Sequence, residues 1–266
     1  MITLEQHERV AIVRLNRGTT NPLNLDLLEQ LGDALLRVRQ DSRVHSLVLA
    51  SSNQKFFSIG FDLPHLFGLS RKDFSVFFRR FNDVCLDLFT LPKPTVAALE
   101  GHATAGGCIL AICCDYRFIA EGRKLMGLNE VKLGVPLPYL ADHVLRSLVG
   151  FRNARDIVDT GELFPPEESL RMGMVDQVLP LEQVLPKSVE KARSLGSLPH
   201  EAFSLIKRNR VEIVETLVVP RLEEKDRLFI DCWYSDEART RLREAMEKFK
   251  KETKTVPTTK AIEHRD

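Results

Sequence analysis

The stretch KPTVAALEGHATAGGCILAICCDYRFIA, residues 93–120, combines two kinds of secondary-structure pattern around a pair of glycines. Residues 93–101 have the pattern of a buried strand, and residues 115–121 predict a second one. Between them, an apolar run that opens on Gly106 and Gly107 predicts a buried helix. A strand, a helix and another strand in this order predict an α/β core with a parallel sheet.

The same alternation continues on both sides of this stretch. Strand patterns occur at residues 10–15, 45–51, 124–130 and 174–179. Helical patterns cover residues 23–38, with Asn24 as the candidate N-cap, a Phe-rich stretch at 73–89, and residues 139–149, 153–159, 166–172 and 181–195. From Pro199 to Lys251 the pattern is almost wholly helical. We therefore predict an α/β catalytic core over residues 1–198, a helical region over 199–252 and a flexible tail over 253–266.

Composition and charge restrict the class of protein. The 266 residues are 44% hydrophobic and 28% charged, which is typical of a soluble globular protein. A net charge of +1 gives no support to a nucleic-acid or membrane partner. No apolar run reaches the ~20 residues of a membrane span, and no leader pattern precedes the first strand. We expect a cytoplasmic protein, or a mature form from which a leader has already been removed.

Cysteine and histidine spacing gives no indication of a metal site. The five cysteines and seven histidines lack metal-ligand spacing. Cys113 and Cys114 are adjacent within an apolar run, so we expect buried free thiols in a reducing compartment.

Two glycine-bearing loops are candidates for a binding site. Gly60 lies in FFSIGFDLPHL, residues 56–66, and Gly106 in ATAGGCILA, residues 103–111. Each loop follows a predicted strand and opens a helix, so both should lie at the same edge of a parallel sheet. Their backbone N–H groups could then form an oxyanion hole, in which each donor contributes ~3 kcal/mol. Either loop could instead be only a strand-to-helix turn, and the absence of G-x-G-x-x-G argues against a dinucleotide site.

Glu130 is the only carboxylate in KLMGLNEVKLGV, residues 124–135. An apolar environment would raise its pKa and make it a stronger base. Most glutamates at strand ends face solvent, and that interpretation remains open from the pattern alone.

Three segments resemble the crotonase superfamily of enoyl-CoA hydratases and isomerases: FFSIGFDL (56–63), KPTVAALEGHATAGGCILAICCDYRF (93–118) and MGLNEVKLGVPLP (126–138). The resemblance extends to about residue 250. It implies a spiral of strand–strand–helix units with a C-terminal helical oligomerisation region, assembled as a homotrimer or hexamer. It also implies an acyl-CoA thioester substrate, an enolate stabilised at the thioester oxygen, and no metal or organic cofactor.

Matching positions assign roles by resemblance. The two oxyanion N–H groups fall on Phe61 and Gly106, and the acid–base on Glu130. Hydratases carry a second catalytic Glu where this chain has Ile109. This departure resembles the Δ3,Δ2-enoyl-CoA isomerase branch, in which one carboxylate moves a proton between two carbons. The residues expected to contact the acyl group are Ile59, Gly60, Ile109, Asn129, Leu137 and Leu140.

Other departures leave alternatives open. Pro64 stands where several family members have a Lys that contacts CoA phosphates, so basic residues such as Lys248 or Lys251 are candidates for that contact. Weak hydratase activity or other enolate chemistry is the first alternative. A dehalogenase-like reaction would need an Asp nucleophile, for which Asp142 is the candidate. A non-catalytic acyl-CoA-binding protein is the alternative from a different class.

Overall fold

The computed structural model describes residues 1–254, with side chains to residue 248. All but the first two residues of the predicted tail therefore lie outside the described part. Within it the strands, numbered in chain order, are β1 (Ile2–His7), β2 (Val10–Leu15), β3 (Ser46–Ser51), β4 (Phe56–Ser58), β5 (Thr95–Leu99), β6 (His102–Thr104), β7 (Tyr116–Ala120), β8 (Met126–Gly127), β9 (Leu163–Phe164) and β10 (Gln177–Leu179).

The helices of the described residues are likewise numbered in chain order. They are α1 (Leu25–Gln40), α2 (Leu63–Leu66), α3 (Arg71–Phe89), α4 (Gly106–Ile112), α5 (Tyr139–Thr160), α6 (Pro166–Arg171), α7 (Leu181–Gly196), α8 (His200–Val218), α9 (Leu222–Trp233) and α10 (Asp236–Lys254). Two 3-10 helices span Glu130–Leu133 and Val219–Arg221. The predicted cap at Asn24 is confirmed, since its side chain accepts a hydrogen bond from the N–H of Leu27 at 3.0 Å.

The larger sheet has the strand order β1-β2-β3-β5-β7-β10. Its pairings are parallel except for the antiparallel pair β1–β2. The central strands are buried on both faces, which explains their continuous apolar sequences. Alternate residues of β3 show this: Leu47 and Leu49 face the main core, whereas Val48 and Ala50 face a smaller core beneath α7.

A second sheet of four short strands has the order β4-β6-β8-β9. β4, β6 and β8 are parallel, and β9 is antiparallel to β8. Each of these three parallel strands follows a strand of the larger sheet, in the pairs β3–β4, β5–β6 and β7–β8, and each leads into helix. The chain therefore repeats a strand–strand–helix unit, as the crotonase resemblance implied.

Two sequence expectations need correction, and two strands were not predicted. Each glycine-bearing loop does follow a parallel strand and open a helix, but the strands that directly precede the loops are β4 and β6, which the sequence pattern did not reveal. These strands have only three residues each, too few for a periodic pattern. The strand predicted at 124–130 shortens to Met126–Gly127, and Glu130 begins a 3-10 helix. The helices predicted at 139–149 and 153–159 join into α5, interrupted at Gly150, where φ is 75°.

The C-terminal helices return to their own core. α9 packs on α3 and α5, and α10 contacts α2 and the 3-10 helix Glu130–Leu133. α8 is held to the core by a buried ion pair in which Lys207 Nζ lies 2.9 Å from Asp115 Oδ2. In the described chain, α9 and α10 therefore lie beside the loops that carry the predicted site.

Candidate active site

The predicted site residues lie at the carboxyl ends of three neighbouring parallel strands of the smaller sheet. β4 ends at Ser58, β6 at Thr104 and β8 at Gly127. The loops that follow carry Phe61, Gly106 and Glu130 respectively. Because parallel strands release their loops at one edge, the fold brings these distant parts of the sequence together.

The first loop holds the N–H of Phe61 free of protein acceptors. The N–H of Leu23 donates to Gly60 O at 2.8 Å, and the N–H of Asp62 donates to Leu23 O at 2.9 Å. A trans peptide places its C=O and N–H on opposite sides. The N–H of Phe61 shares its peptide plane with Gly60 O, so it points away from Leu23. Among the described residues, it donates to no protein acceptor.

The second loop presents the N–H of Gly106 in a similar way. The carbonyl of Ala105 accepts a hydrogen bond from the N–H of Ile109 at 3.0 Å, so the opposite side of that peptide directs the Gly106 N–H out of the start of α4. The N–H of Ala105 donates to Gly127 O at 2.9 Å. Ala105 has φ 49° and ψ −126°, a conformation that costs a non-glycine residue roughly 1–3 kcal/mol. No protein acceptor in the described part of the chain pairs with the Gly106 N–H.

The two loops are in direct backbone contact at their glycines. A Cβ built on Gly60 would lie 2.7 Å from the nitrogen of Gly106 and 2.9 Å from the Cβ of Ala105. Gly60 also has φ 89°, which L-residues with side chains rarely adopt. A Cβ on Gly107 would lie 2.3 Å from Ser58 O. Glycine at these positions therefore allows the backbones of the two loops to approach each other closely.

Glu130 is buried in an apolar environment. It is 8% exposed, and its Oε2 atom is buried without a hydrogen-bond partner in the described protein. Burial disfavours the ionised form and raises the pKa of Glu130 to about 7, a shift that a hydrogen bond to its own backbone partly offsets. Burial, and to a smaller extent the charge of Glu130, raises the pKa of the neighbouring Cys108 thiol. At neutral pH a substantial fraction of Glu130 is therefore ionised and available as a base.

Comparisons with known proteins identify the family of this chain. The model of the enoyl-CoA hydratase/isomerase family matches residues 5–257. The chain belongs to the enoyl-CoA hydratase/isomerase family. The crotonase resemblance of the sequence is thereby confirmed.

Individual relatives of this family include isomerases and hydratases. The human mitochondrial enoyl-CoA delta isomerase 1 is 30% identical over 244 residues, which cover 91% of this chain and 81% of the relative. A crotonyl-CoA hydratase from Syntrophomonas wolfei is 32% identical over 216 residues, covering 81% of this chain and 83% of the relative. The crystal structure of the human mitochondrial delta3-delta2-enoyl-CoA isomerase superposes with a TM-score of 0.91 at 29% identity, covering 94% and 98% of the two chains. Family membership is therefore certain, and the reaction has to be argued from the site.

Ile109, an apolar residue, occupies the position at which the crotonase resemblance places the second catalytic Glu of hydratases. Ile109 lies in α4, is 1% exposed and packs in the main core. Ile109 lies three residues after Gly106, in the first turn of α4, and this turn faces the loops. Glu130 is consequently the one carboxylate at this edge that occupies a predicted catalytic position.

The other predicted contacts differ in burial. Ile59 and Leu137 are half-buried, Gly60 and Leu140 are buried, and Asn129 is half-buried. The Oδ1 atom of Asn129 is buried without a partner in the described protein. Their contact with an acyl group stays a prediction.

The side chain of Phe61 points toward α3 and anchors the first loop. Its ring packs edge-on against Phe77 at 4.8 Å and Phe81 at 4.9 Å between centroids. The ring of Trp233, in α9, also lies 6.4 Å from the Phe61 ring between centroids. The aromatic contacts fix the residue whose backbone N–H faces the site.

Helices α9 and α10 complete the surroundings of the site, which the sequence did not predict. A Cβ on Gly134, just after the 3-10 helix, would lie 3.1 Å from the Cα of Ala238. Arg239 donates to Phe67 O at 2.8 Å and stacks on the Phe67 ring at 3.4 Å. These contacts connect α10 to both the Glu130 segment and the helix that follows Phe61.

The other positions considered in the sequence analysis are not part of this constellation. Pro64 and Lys248 are exposed, on α2 and α10, and the side chain of Lys251 lies outside the described residues. Asp142 pairs with Arg146 one helical turn away, at 2.6 Å. Within residues 1–254 no group of three or more His, Cys, Asp or Glu side chains could hold a metal ion, and no helix is long and apolar enough to cross a membrane.

Proposed function

We propose that this protein is a Δ3,Δ2-enoyl-CoA isomerase that uses Glu130 as its single acid–base. The observation that carries the proposal is one buried carboxylate at the same sheet edge as two backbone N–H groups. Within the described residues its Oε2 atom and both N–H groups have no protein partner, and Ile109 lies where the crotonase resemblance places the second Glu of a hydratase. Hydration needs a water molecule held by two carboxylates. A proton transfer within the substrate needs only one.

The proposed reaction begins with a 3-enoyl thioester whose carbonyl oxygen accepts hydrogen bonds from the N–H groups of Phe61 and Gly106. Ionised Glu130 removes a proton from C2, and the electron pair spreads through the dienolate onto the thioester oxygen. The two N–H groups stabilise this charge. Protonated Glu130 then delivers the same proton to C4, which leaves the double bond between C2 and C3.

This reaction consumes and releases no electron, water or metal ion. Its atoms balance with one proton that leaves C2 and one that arrives at C4. We therefore propose that the protein needs no metal or organic cofactor and that CoA enters only as part of the substrate. The apolar surroundings of Glu130 favour return of the proton to carbon, because they keep water away from the carboxyl group.

Ultraviolet absorbance distinguishes the candidate functions. An isomerase given 3-enoyl-CoA forms a conjugated 2-enoyl thioester and increases the absorbance. A hydratase given 2-enoyl-CoA removes the conjugation and decreases it. The hydratase alternative is supported by relatives such as the crotonyl-CoA hydratase, and a decrease without the first increase would establish it in place of isomerisation. A non-catalytic binding protein would change neither absorbance.

The pH dependence of isomerisation should follow the ionisation of Glu130. The base is active when ionised, and burial raises its pKa to about 7. We therefore expect kcat/KM, which reports ionisation of the free enzyme, to be low at acid pH, to rise with a midpoint near 7 and to level off above it. Stopped-flow measurement of kcat/KM with a 3-enoyl-CoA across this range checks the prediction. A midpoint near the ordinary glutamate value would contradict a desolvated base.

Ile109→Glu should introduce weak hydration of 2-enoyl-CoA. The substitution places a second carboxylate near Glu130, as in the hydratases, where it could hold and activate water. Ile109→Gln is the matched control, since it has nearly the same shape but cannot act as a base. We expect measurable hydration in the first variant and none in the second. Equal activity of the two folded variants would show that position 109 does not separate the two reactions.

We further propose that the chain assembles as a homotrimer or hexamer through α8. This helix exposes four apolar side chains, Leu205, Ile206, Ile213 and Leu217, and Ile213 is 68% exposed. Such an apolar face on a soluble protein is typical of an interface. Sedimentation equilibrium should give three or six chains per particle, and a monomer at micromolar concentration would contradict the proposal.

The cellular compartment stays a prediction. The five cysteines are free, and four of them are buried, which supports a reducing compartment. Relatives carry mitochondrial and peroxisomal names, so the expected cytoplasmic location needs a direct test by fractionation of cells that express the protein.

A further inference from the structure

A buried asparagine lies beside the first loop and makes no contact predicted from the sequence. Asn21 is fully buried and has φ 45°, in the left-handed region. Its Oδ1 accepts a hydrogen bond from the N–H of Arg17 at 2.7 Å. Its Nδ2 donates to Ser51 Oγ at 2.8 Å and to Phe57 O at 3.0 Å. Both donors of the amide are therefore used, and the backbone of Asn21 is fixed between β3 and β4.

Ser58 connects Asn21 to the loop that carries Phe61. The Ser58 hydroxyl donates to Asn21 O at 2.8 Å and accepts from the N–H of Gly60 at 3.1 Å. Ser58 is fully buried, so no water molecule can readily replace either hydrogen bond. The hydroxyl therefore fixes the nitrogen of Gly60 relative to the backbone carbonyl of Asn21.

The carbonyl of Gly60 is fixed from the same segment. Leu23, two residues after Asn21, donates its N–H to Gly60 O at 2.8 Å. Both backbone polar groups of Gly60 are therefore held, and the plane of the following peptide cannot rotate freely. Since the N–H of Phe61 belongs to that peptide, its direction is set by the chain segment around Asn21.

We propose that Asn21 and Ser58 are positioning residues for the oxyanion donor of Phe61. The inference rests on the proposed function, because it assigns to these residues the orientation of one of the two N–H groups. Neither side chain touches the substrate. Their contribution is to keep the donor aimed before substrate binds, so that no reorganisation is needed as charge develops on the thioester oxygen.

Ser58→Ala tests the proposal directly. Removing the hydroxyl leaves the N–H of Gly60 and the carbonyl of Asn21 without their partners. We expect kcat to fall about 10-fold or more, as a fraction of the 10²- to 10³-fold effect of losing one oxyanion donor, while KM changes less than about threefold. Asn21→Gly tolerates the left-handed φ but lacks the side-chain amide. This variant should likewise lower kcat while changing KM much less.

Ser169→Ala is the matched control. Ser169 is also a buried serine, 0% exposed, and its hydroxyl donates to Phe164 O at 3.4 Å. This hydrogen bond lies outside the network that joins Asn21, Ser58 and Gly60. We expect this variant to lose thermal stability but to keep kcat within about threefold of the original protein. An equal loss of kcat in both serine variants would overturn the proposal in favour of a general structural effect.

An infrared measurement separates this proposal from the proposed function. The probe is butyryl-CoA with ¹³C at the thioester carbonyl, which binds but has no double bond to move. Binding to the original protein should lower the carbonyl stretching frequency, and Ser58→Ala should bind with a smaller shift. No shift in the original protein would refute the oxyanion hole itself. An unchanged shift and unchanged kcat in Ser58→Ala would refute only the positioning role.

Discussion

Glu130→Gln is expected to lower kcat for 3-enoyl-CoA isomerisation by about 10⁴-fold, the upper range for loss of a general acid–base group. The amide has nearly the same shape as the carboxylic acid but cannot remove the C2 proton or return one to C4. Since no second carboxylate occupies position 109, nothing else at this edge replaces it. Stopped-flow absorbance gives kcat, and calorimetry with butyryl-CoA should show affinity within about threefold of the original protein.

Glu100→Gln is the control for this variant. Glu100 is also a buried glutamate, 7% exposed, and burial likewise raises its pKa. It follows β5 of the larger sheet and lies outside the proposed catalytic groups. Isomerisation by Glu100→Gln should stay near the original rate. Substantial turnover in Glu130→Gln would refute the assignment of the base.

The same Glu130 variant should also be more stable at alkaline pH. The pKa of Glu130 rises from an ordinary value of 4.5 to about 7 in the folded protein. The unfolded chain therefore releases its proton first, and ionisation lowers the free energy of unfolding progressively from pH 4.5 to 7. The full cost is on the order of 3 kcal/mol above pH 7 and vanishes at low pH. Denaturant titration of both proteins at pH 8 and about pH 4 should show a difference only at the higher pH.

Gly60→Ala is expected to lower kcat by about 10²- to 10³-fold, the effect of losing an oxyanion donor. The new Cβ would lie 2.7 Å from the Gly106 nitrogen, and its other near contacts are also backbone or Cβ atoms. Because these atoms cannot rotate away, the two loops must separate. The φ of 89° adds conformational strain, so a loss of stability of about 1 kcal/mol or more should accompany the lower rate.

Gly68→Ala provides the comparison for this prediction. Gly68 lies a few residues farther along, and the only atom near its added Cβ is His65 O at an ordinary 3.8 Å. This variant should keep both activity and stability. A Gly60→Ala protein that remains folded and fully active would contradict the assignment of Phe61 and Gly106 as paired donors.

Local chemistry indicated the candidate positions, and resemblance to the crotonase superfamily assigned their proposed roles. Glycine pairs mark places where backbones approach closely, and a single acid in an apolar run marks a candidate base. The strand alternation also predicted that both loops would share a sheet edge. It did not reveal the second sheet, because β4 and β6 are too short to show periodicity.

Long-range contacts account for what the sequence did not reveal. Asn21 shows no periodic or motif signal, apart from being a residue type that tolerates positive φ. Its role depends on hydrogen bonds to Ser51 and Phe57, 30 and 36 residues away. The sequence also did not predict that α9 and α10 pack on their own core. An apolar helix face has the same sequence pattern whether it packs on its own chain or on a neighbouring subunit.

The site described above draws its base, both amide donors and their covering helices α9 and α10 from one polypeptide. Each subunit of an assembly should therefore act as an independent catalyst. Mixed particles of active and Glu130→Gln subunits should lose activity in direct proportion to the inactive fraction. Dilution that dissociates the particles should leave the turnover per chain unchanged for as long as the separated subunits stay folded.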